Sequence, residues 1–219
     1  MDRLRDNGLT ITLAAATAAT LIGMLLTGLS VYNDELAQHH QPLVTLAGYV
    51  LSGHFLSAVF ENWESEFLQM SAYVVLTAFL FQRGSAESRD PDESAEQDED
   101  PARHRNDPNA PLPVRLGGVP RTLYSYSLGI VLFLLFVLSF ALHLQESAVA
   151  EAAEALRHGQ PAPTLWQHLG GAKFWFESFQ NWQSEFLSTA VIVVLSIFLR
   201  FRGSPESKPV AASHTQTGE

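Results

Sequence analysis

Residues 8–31 run for 24 consecutive positions without one charged side chain. At about 1.5 Å of rise per residue, a helix of that length more than crosses a hydrocarbon layer of about 30 Å. Inside lipid the backbone amides find no water, so such a segment must satisfy them internally as a helix. Residues 123–142 are a second uncharged run of the same kind. Residues 63–82 and 182–201 have shorter apolar stretches, with polar and charged side chains just after a leading tryptophan, but they suffice once their interfacial ends are counted. The expected fold is all-α and integral to a membrane, with four spanning helices. The mean hydropathy of +0.06 conceals this, because the apolar runs and the acidic residues are segregated along the chain.

Arg3 and Arg5 ahead of an apolar run resemble a signal peptide. The run is longer than a secretory h-region, and an internal run at 123–142 holds the matching place later in the chain. We read residues 8–31 as a retained anchor.

The chain aligns with itself at an offset of 119 residues. Residues 60–88 read FENWESEFLQMSAYVVLTAFLFQRGSAES and residues 179–207 read FQNWQSEFLSTAVIVVLSIFLRFRGSPES, identical at 17 of 29 positions. Upstream, His39, Gln41, Pro42, Thr45 and Leu46 face His158, Gln160, Pro161, Thr164 and Leu165. Each copy is therefore a spanning helix, an outer segment and a second spanning helix. Two spans per copy make the tandem repeats parallel. The expected divisions are a membrane repeat at 1–83, a disordered acidic linker at 84–120, a second membrane repeat at 121–203 and a disordered tail at 204–219. The linker, with its run DPDESAEQDEDP, lacks the apolar surface a packed core needs.

Eleven of the thirteen basic residues lie at the N-terminus, in the linker or in the tail, whereas Arg157 and Lys173 alone lie in the outer segments. Cytoplasmic loops carry the Lys and Arg excess. Both termini and the linker are thus expected on the cytoplasmic side. Residues 43–60 could form a third span per copy, but their counterpart carries Gly170, Gly171 and Lys173 and would span poorly. The preferred reading is an outer interfacial helix in each copy.

The NWxSEF stretch occurs twice. Asn62 and Asn181 suit N-caps, Trp63 and Trp182 suit interface anchors, and Arg83, Gly84, Arg202 and Gly203 suit helix C-terminal caps. A functional alternative starts from one polar helix face: Asn62, Ser65, Glu66 and Gln69, matched by Asn181, Ser184, Glu185 and Ser188. Glu66 and Glu185 at membrane depth could bind a cation or relay protons. The capping account is the simpler one. Ala15, Ala19 and Gly23 form a small-residue stripe suited to close helix packing within the bundle, or to self-association.

Other chemistry is thin. The absence of cysteine removes thiol catalysis and cysteine metal sites. His39, His40, His54, His143, His158 and His168 all fall in the outer half without a metal-binding motif, so no metal and no cofactor is expected. A net charge of −10 argues against nucleic acid. The expected partners are the lipid bilayer and a protein bound through the linker.

The doubled NWxSEFL…RGSxES pattern resembles an uncharacterised family of small bacterial membrane proteins, known by a domain of unknown function. The resemblance implies a bacterial inner-membrane protein and assigns no catalytic residue. The expected role is a non-enzymatic membrane scaffold or interaction protein, with a small transporter or channel using Glu66 and Glu185 as the alternative.

Overall fold

The computed structural model describes residues 5–218, so Arg3 lies outside the described residues. The described residues are helical with no strand. The long elements are α1 (Gly8–Gln38), α3 (Gly53–Phe79), α6 (Ser127–Arg157) and α8 (Ala172–Phe198). Short helices α2 (Leu46–Val50) and α7 (Leu165–Leu169) precede α3 and α8, and α4 (Leu112–Leu116) and α5 (Gly118–Ser125) precede α6. The bounds of α1, α2 and α3 return in α6, α7 and α8 at an offset of 119 residues (8 to 127, 46 to 165, 53 to 172).

Among the described residues, α1, α6 and α8 are long and apolar enough to cross a membrane. Helix α3 is as long as α8 but carries Glu61, Glu64 and Glu66. Large apolar side chains line the three apolar helices with little cover from the chain itself, as at Leu13, Leu134 and Leu195. Water would not tolerate that much continuous apolar surface, and lipid does.

Several expectations need correction. Residues 43–60 do not form one separate outer helix. The chain makes α2, turns at 51–52, and enters α3 at Gly53. Asn62 and Asn181 are not N-caps, because α3 and α8 begin at Gly53 and Ala172, nine residues before each asparagine. The helices also stop earlier than 82 and 201, at Phe79 and Phe198. Gly84 and Gly203 do hold left-handed conformations, at φ 83° and 88°, but in turns beyond the helix ends. The small-residue stripe does not pack inside the bundle: Ala15, Ala19 and Gly23 are exposed, and a Cβ on Gly23 would meet nothing within 4 Å.

The chain divides into two compact units that each draw on both halves of the sequence. One comprises residues 1–60 and 141–175, the other residues 61–140 and 176–219. In the first, Tyr49, Phe55 and Val59 form a core with Leu21, Met24, Leu25 and Leu29 of α1. Gly28 leaves the notch for the Tyr49 hydroxyl, which a Cβ there would overlap. Asn33 fastens the connecting segment by clasping Val44, accepting from its N–H at 2.8 Å and donating to its carbonyl at 3.1 Å. Thr45 and Thr164 cap α2 and α7, and Gln167 completes a capping box with Thr164.

In the second unit the two RGSxES segments fold alike. The Ser88 hydroxyl accepts from the Gln82 N–H at 2.8 Å, and the Ser207 hydroxyl accepts from the Phe201 N–H at 2.9 Å. Ser85 and Ser204 accept from the N–H two residues on, at Glu87 and Glu206. These bonds explain the recurrence of serine at fixed places. The linker holds short 3₁₀ turns at Glu96–Asp98 and Pro101–His104, and Arg83 pairs with Asp92 at 2.7 Å.

Candidate functional site

The NWxSEF segments lie within α3 and α8, and in the second unit they are joined by polar side chains. The Trp182 indole N–H donates to Glu64 at 2.8 Å. Asn181 donates to Glu61, and Gln69 donates to the Thr189 hydroxyl. Glu64 has no exposed surface. A carboxylate enclosed in a helix of this kind demands donors, and an indole N–H is a donor only. Trp182 also sits edge-on to Phe136 and Phe179, with ring centroids 6.2 and 5.5 Å away. It therefore does more than mark an interface. Trp63 is exposed.

The expected polar face is brought together only in part. Gln69 and Asn181 take part in the strip, and Glu66 lies within electrostatic reach of Glu185. Asn62 and Ser188 are exposed. The hydroxyls of Ser65, Ser184 and Ser188 donate to carbonyls three residues back, at 2.8 to 2.9 Å. Such back-bonding is the usual fate of a helical serine in apolar surroundings. Glu61, Glu64 and Thr189 were not among the expected residues. The two carboxylates did leave a trace, since positions 180 and 183, their matches in the second half, are glutamines. A hollow of about 680 Å³ runs along Phe201–Val210, and neither Glu66 nor Glu185 lines it.

Near the C-terminal end of α3, the Tyr73 hydroxyl donates to Glu87 at 2.7 Å. The other oxygen of Glu87 is buried without a donor. Burial pushes the Glu87 carboxyl above the ordinary carboxylate range; the Tyr73 hydrogen bond opposes this and the nearby Glu206 adds to it. The Lys208 ammonium is enclosed by carbonyls of Gly84, Ser213, His214 and Gln216. Burial and the Arg200 guanidinium push that ammonium below the ordinary lysine range. The Thr217 hydroxyl accepts from the Gly84 N–H at 2.9 Å, and Gly218 donates to the Ser85 carbonyl. Arg202 and Gly203 are exposed in the matching turn.

The first unit gathers histidines that the sequence left scattered. The rings of His39 and His158 meet edge to face at 5.1 Å. Arg157 pairs with Glu35 and Lys173 with Glu154, each at 2.8 Å. His168 contacts Glu151 through Nδ1 and the Ser147 hydroxyl through Nε2, the latter at 2.9 Å. Among the described residues, no group of three or more His, Asp or Glu is arranged to hold a metal ion.

Described residues that are helical without a strand, with three uncovered helices of membrane length among them, make this a multi-pass membrane protein. Over residues 1–219 it belongs to the family described as Domain of unknown function (DUF6766). No curated protein and no solved structure matches it.

Proposed function

We propose that this chain is a scaffold or interaction protein of the bacterial inner membrane. Four spans arise from a duplicated two-helix unit, with both termini and the linker cytoplasmic. The constant 119-residue offset of the helix bounds supports the duplication, and the Lys and Arg distribution supports the orientation. The acidic linker serves as the handle for a protein partner.

The observation that carries the scaffold role is the polar strip between α3 and α8. Glu61, Glu64 and Gln69 are engaged by Asn181, Trp182 and Thr189, so these polar groups fasten helices together. Interhelical hydrogen bonds of this kind bind membrane helices at about 0.6–2 kcal/mol each.

One observation favours transport instead: Glu66 and Glu185 lie within electrostatic reach of each other. Purified protein in liposomes decides between the two roles. Proton and cation flux should stay at the level of empty vesicles. A flux that the protein creates, and that Glu66→Gln or Glu185→Gln abolishes, overturns the scaffold reading. Reporter fusions at residues 100 and 219 should both read cytoplasmic; an outside reading at residue 100 overturns the two-span repeat.

A further inference from the structure

Helix α6 presents Ser147 and Glu151 one turn apart, and α7 brings His168 to both. Ser147 and His168 are buried. An ionised Glu151 can only accept, so the proton of a neutral imidazole sits on Nδ1 and Nε2 is left bare. A bare Nε2 at 2.9 Å from the serine hydroxyl is an acceptor for its proton. The Phe174 ring, itself without exposed surface, packs edge-on to His168 at 5.4 Å and holds it in place. Nucleophile, base and orienting carboxylate thus stand in the relation that defines an activated serine.

The positions 119 residues earlier show what the fold needs here without chemistry. Gly28, Tyr32 and Tyr49 stand where Ser147, Glu151 and His168 stand later. There, Tyr49 seats against Gly28, with the Tyr32 ring 5.6 Å from its own. A short helix is thus held to a long one by packing and by the Tyr49 hydroxyl's 3.0 Å hydrogen bond with His54, with no serine and no carboxylate. Fastening alone does not require the polar trio.

We propose that Ser147 is a nucleophilic serine acting on carboxylic esters of amphiphiles, with His168 as its base and Glu151 as the positioning residue. The amphiphile follows from the setting: the trio belongs to a chain with membrane-length apolar helices, and Leu165 and Trp166 beside His168 are exposed, Trp166 at 77%. In the step, the serine oxygen bonds to the carbonyl carbon and its proton passes to Nε2 of His168. The alkoxy C–O bond breaks, and the leaving alcohol takes that proton. Water then attacks the acyl-serine, releasing the carboxylic acid and restoring the hydroxyl.

The test uses the full chain in detergent micelles with a fluorophosphonate probe, whose P–F bond breaks as the serine oxygen bonds to phosphorus. Wild type should be labelled once, at the peptide containing Ser147. Ser147→Gly, the residue found at position 28, should remain helical and lose all labelling. His168→Gln should label about a hundredfold or more slower, as expected for loss of a general base. Glu151→Gln should slow labelling and Glu151→Asp should restore part of it, which a purely structural carboxylate would not do. Hydrolysis of p-nitrophenyl octanoate should follow the same order. An unlabelled wild type, or labelling that persists in Ser147→Gly, overturns the proposal.

Discussion

At the residue scale, the Glu64 side chain is fully enclosed in the second unit. Trp182→Phe keeps the ring packing and removes one donor to that carboxylate. Losing a donor to a buried charged acceptor costs about 1–3 kcal/mol. Glu64→Gln should cost less, because a neutral amide tolerates burial better. Thermal unfolding in detergent of the two singles and the double should give a coupling of about 1 kcal/mol, within the range for residues in contact. Strict additivity would mean that the indole and the carboxylate do not stabilise one another.

Glu87 supplies a pH dependence with a defined sign. Its carboxyl is raised above the unfolded value by burial and by Glu206, despite the Tyr73 hydrogen bond. The folded state therefore holds that proton more tightly than the unfolded state does. Its contribution is full below the unfolded pKa of about 4.3 and is lost as pH rises through the folded value. Glu87→Gln should leave stability near pH 4 almost unchanged and raise it at pH 8. The check is a pair of melting curves at those two pH values. A variant that loses more stability at pH 8 than at pH 4 would reverse the sign and refute the account.

At the element scale, the apolar lengths were legible and the helix ends were not. Asparagine followed by tryptophan reads as a capped, interfacial start, yet the aromatic and apolar residues ahead of it simply continue the helix upstream to Gly53 and Ala172. At the far end the chain leaves the helix before the RGS sequence, since the Gln82 and Phe201 N–H groups turn to serine hydroxyls six residues on. That bond needs the turn to be formed, and no local propensity announces it. The glycines were read correctly as left-handed but assigned to the wrong device. The polar strip was half legible: Gln69 and Asn181 stood in the doubled motif, while Glu61 and Glu64 occupy positions where the two halves differ. Ser147 and His168 lie 21 residues apart across two prolines, so only the serine and Glu151, one helical turn apart, could have been associated from spacing.

The paired turns make a quantitative contrast. Gly84 and Gly203 share the left-handed conformation, but a Cβ on Gly84 would stand 2.5 Å from the His214 carbonyl oxygen, whereas one on Gly203 would meet nothing within 4 Å. Gly203→Ala should cost about 1–2 kcal/mol, the conformational penalty alone. Gly84→Ala should cost measurably more and should loosen residues 213–218. Unfolding midpoints together with limited proteolysis of the tail would show both effects. Equal costs for the two substitutions would mean that the tail does not rest on Gly84.

At the scale of the whole molecule, each compact unit takes segments from both halves of the sequence, so neither half carries a complete unit. In the first unit the Arg157–Glu35 ion pair joins α6 to α1, and the His39 and His158 rings meet beside it. In the second, Ser85 meets Ser196 at 2.8 Å, 111 residues along the chain. Folding of either unit therefore waits for chain synthesised late, and truncation ahead of α6 should abolish both units together. Pulse-labelled truncations ending at residue 126 should accordingly be degraded in cells while the full chain persists.

The carbonyl enclosure of Lys208 turns the chain into its own reporter. Only two lysines occur in the sequence, Lys173 and Lys208. The first has a half-exposed side chain, and the second is enclosed. An amine-reactive reagent should therefore modify Lys173 readily and spare Lys208 for as long as the tail stays docked. Loss of that protection, read by peptide mass, would time the release of the tail. With a reagent that cannot cross lipid, applied to intact and to opened cells, Lys173 would also report which side of the membrane it faces.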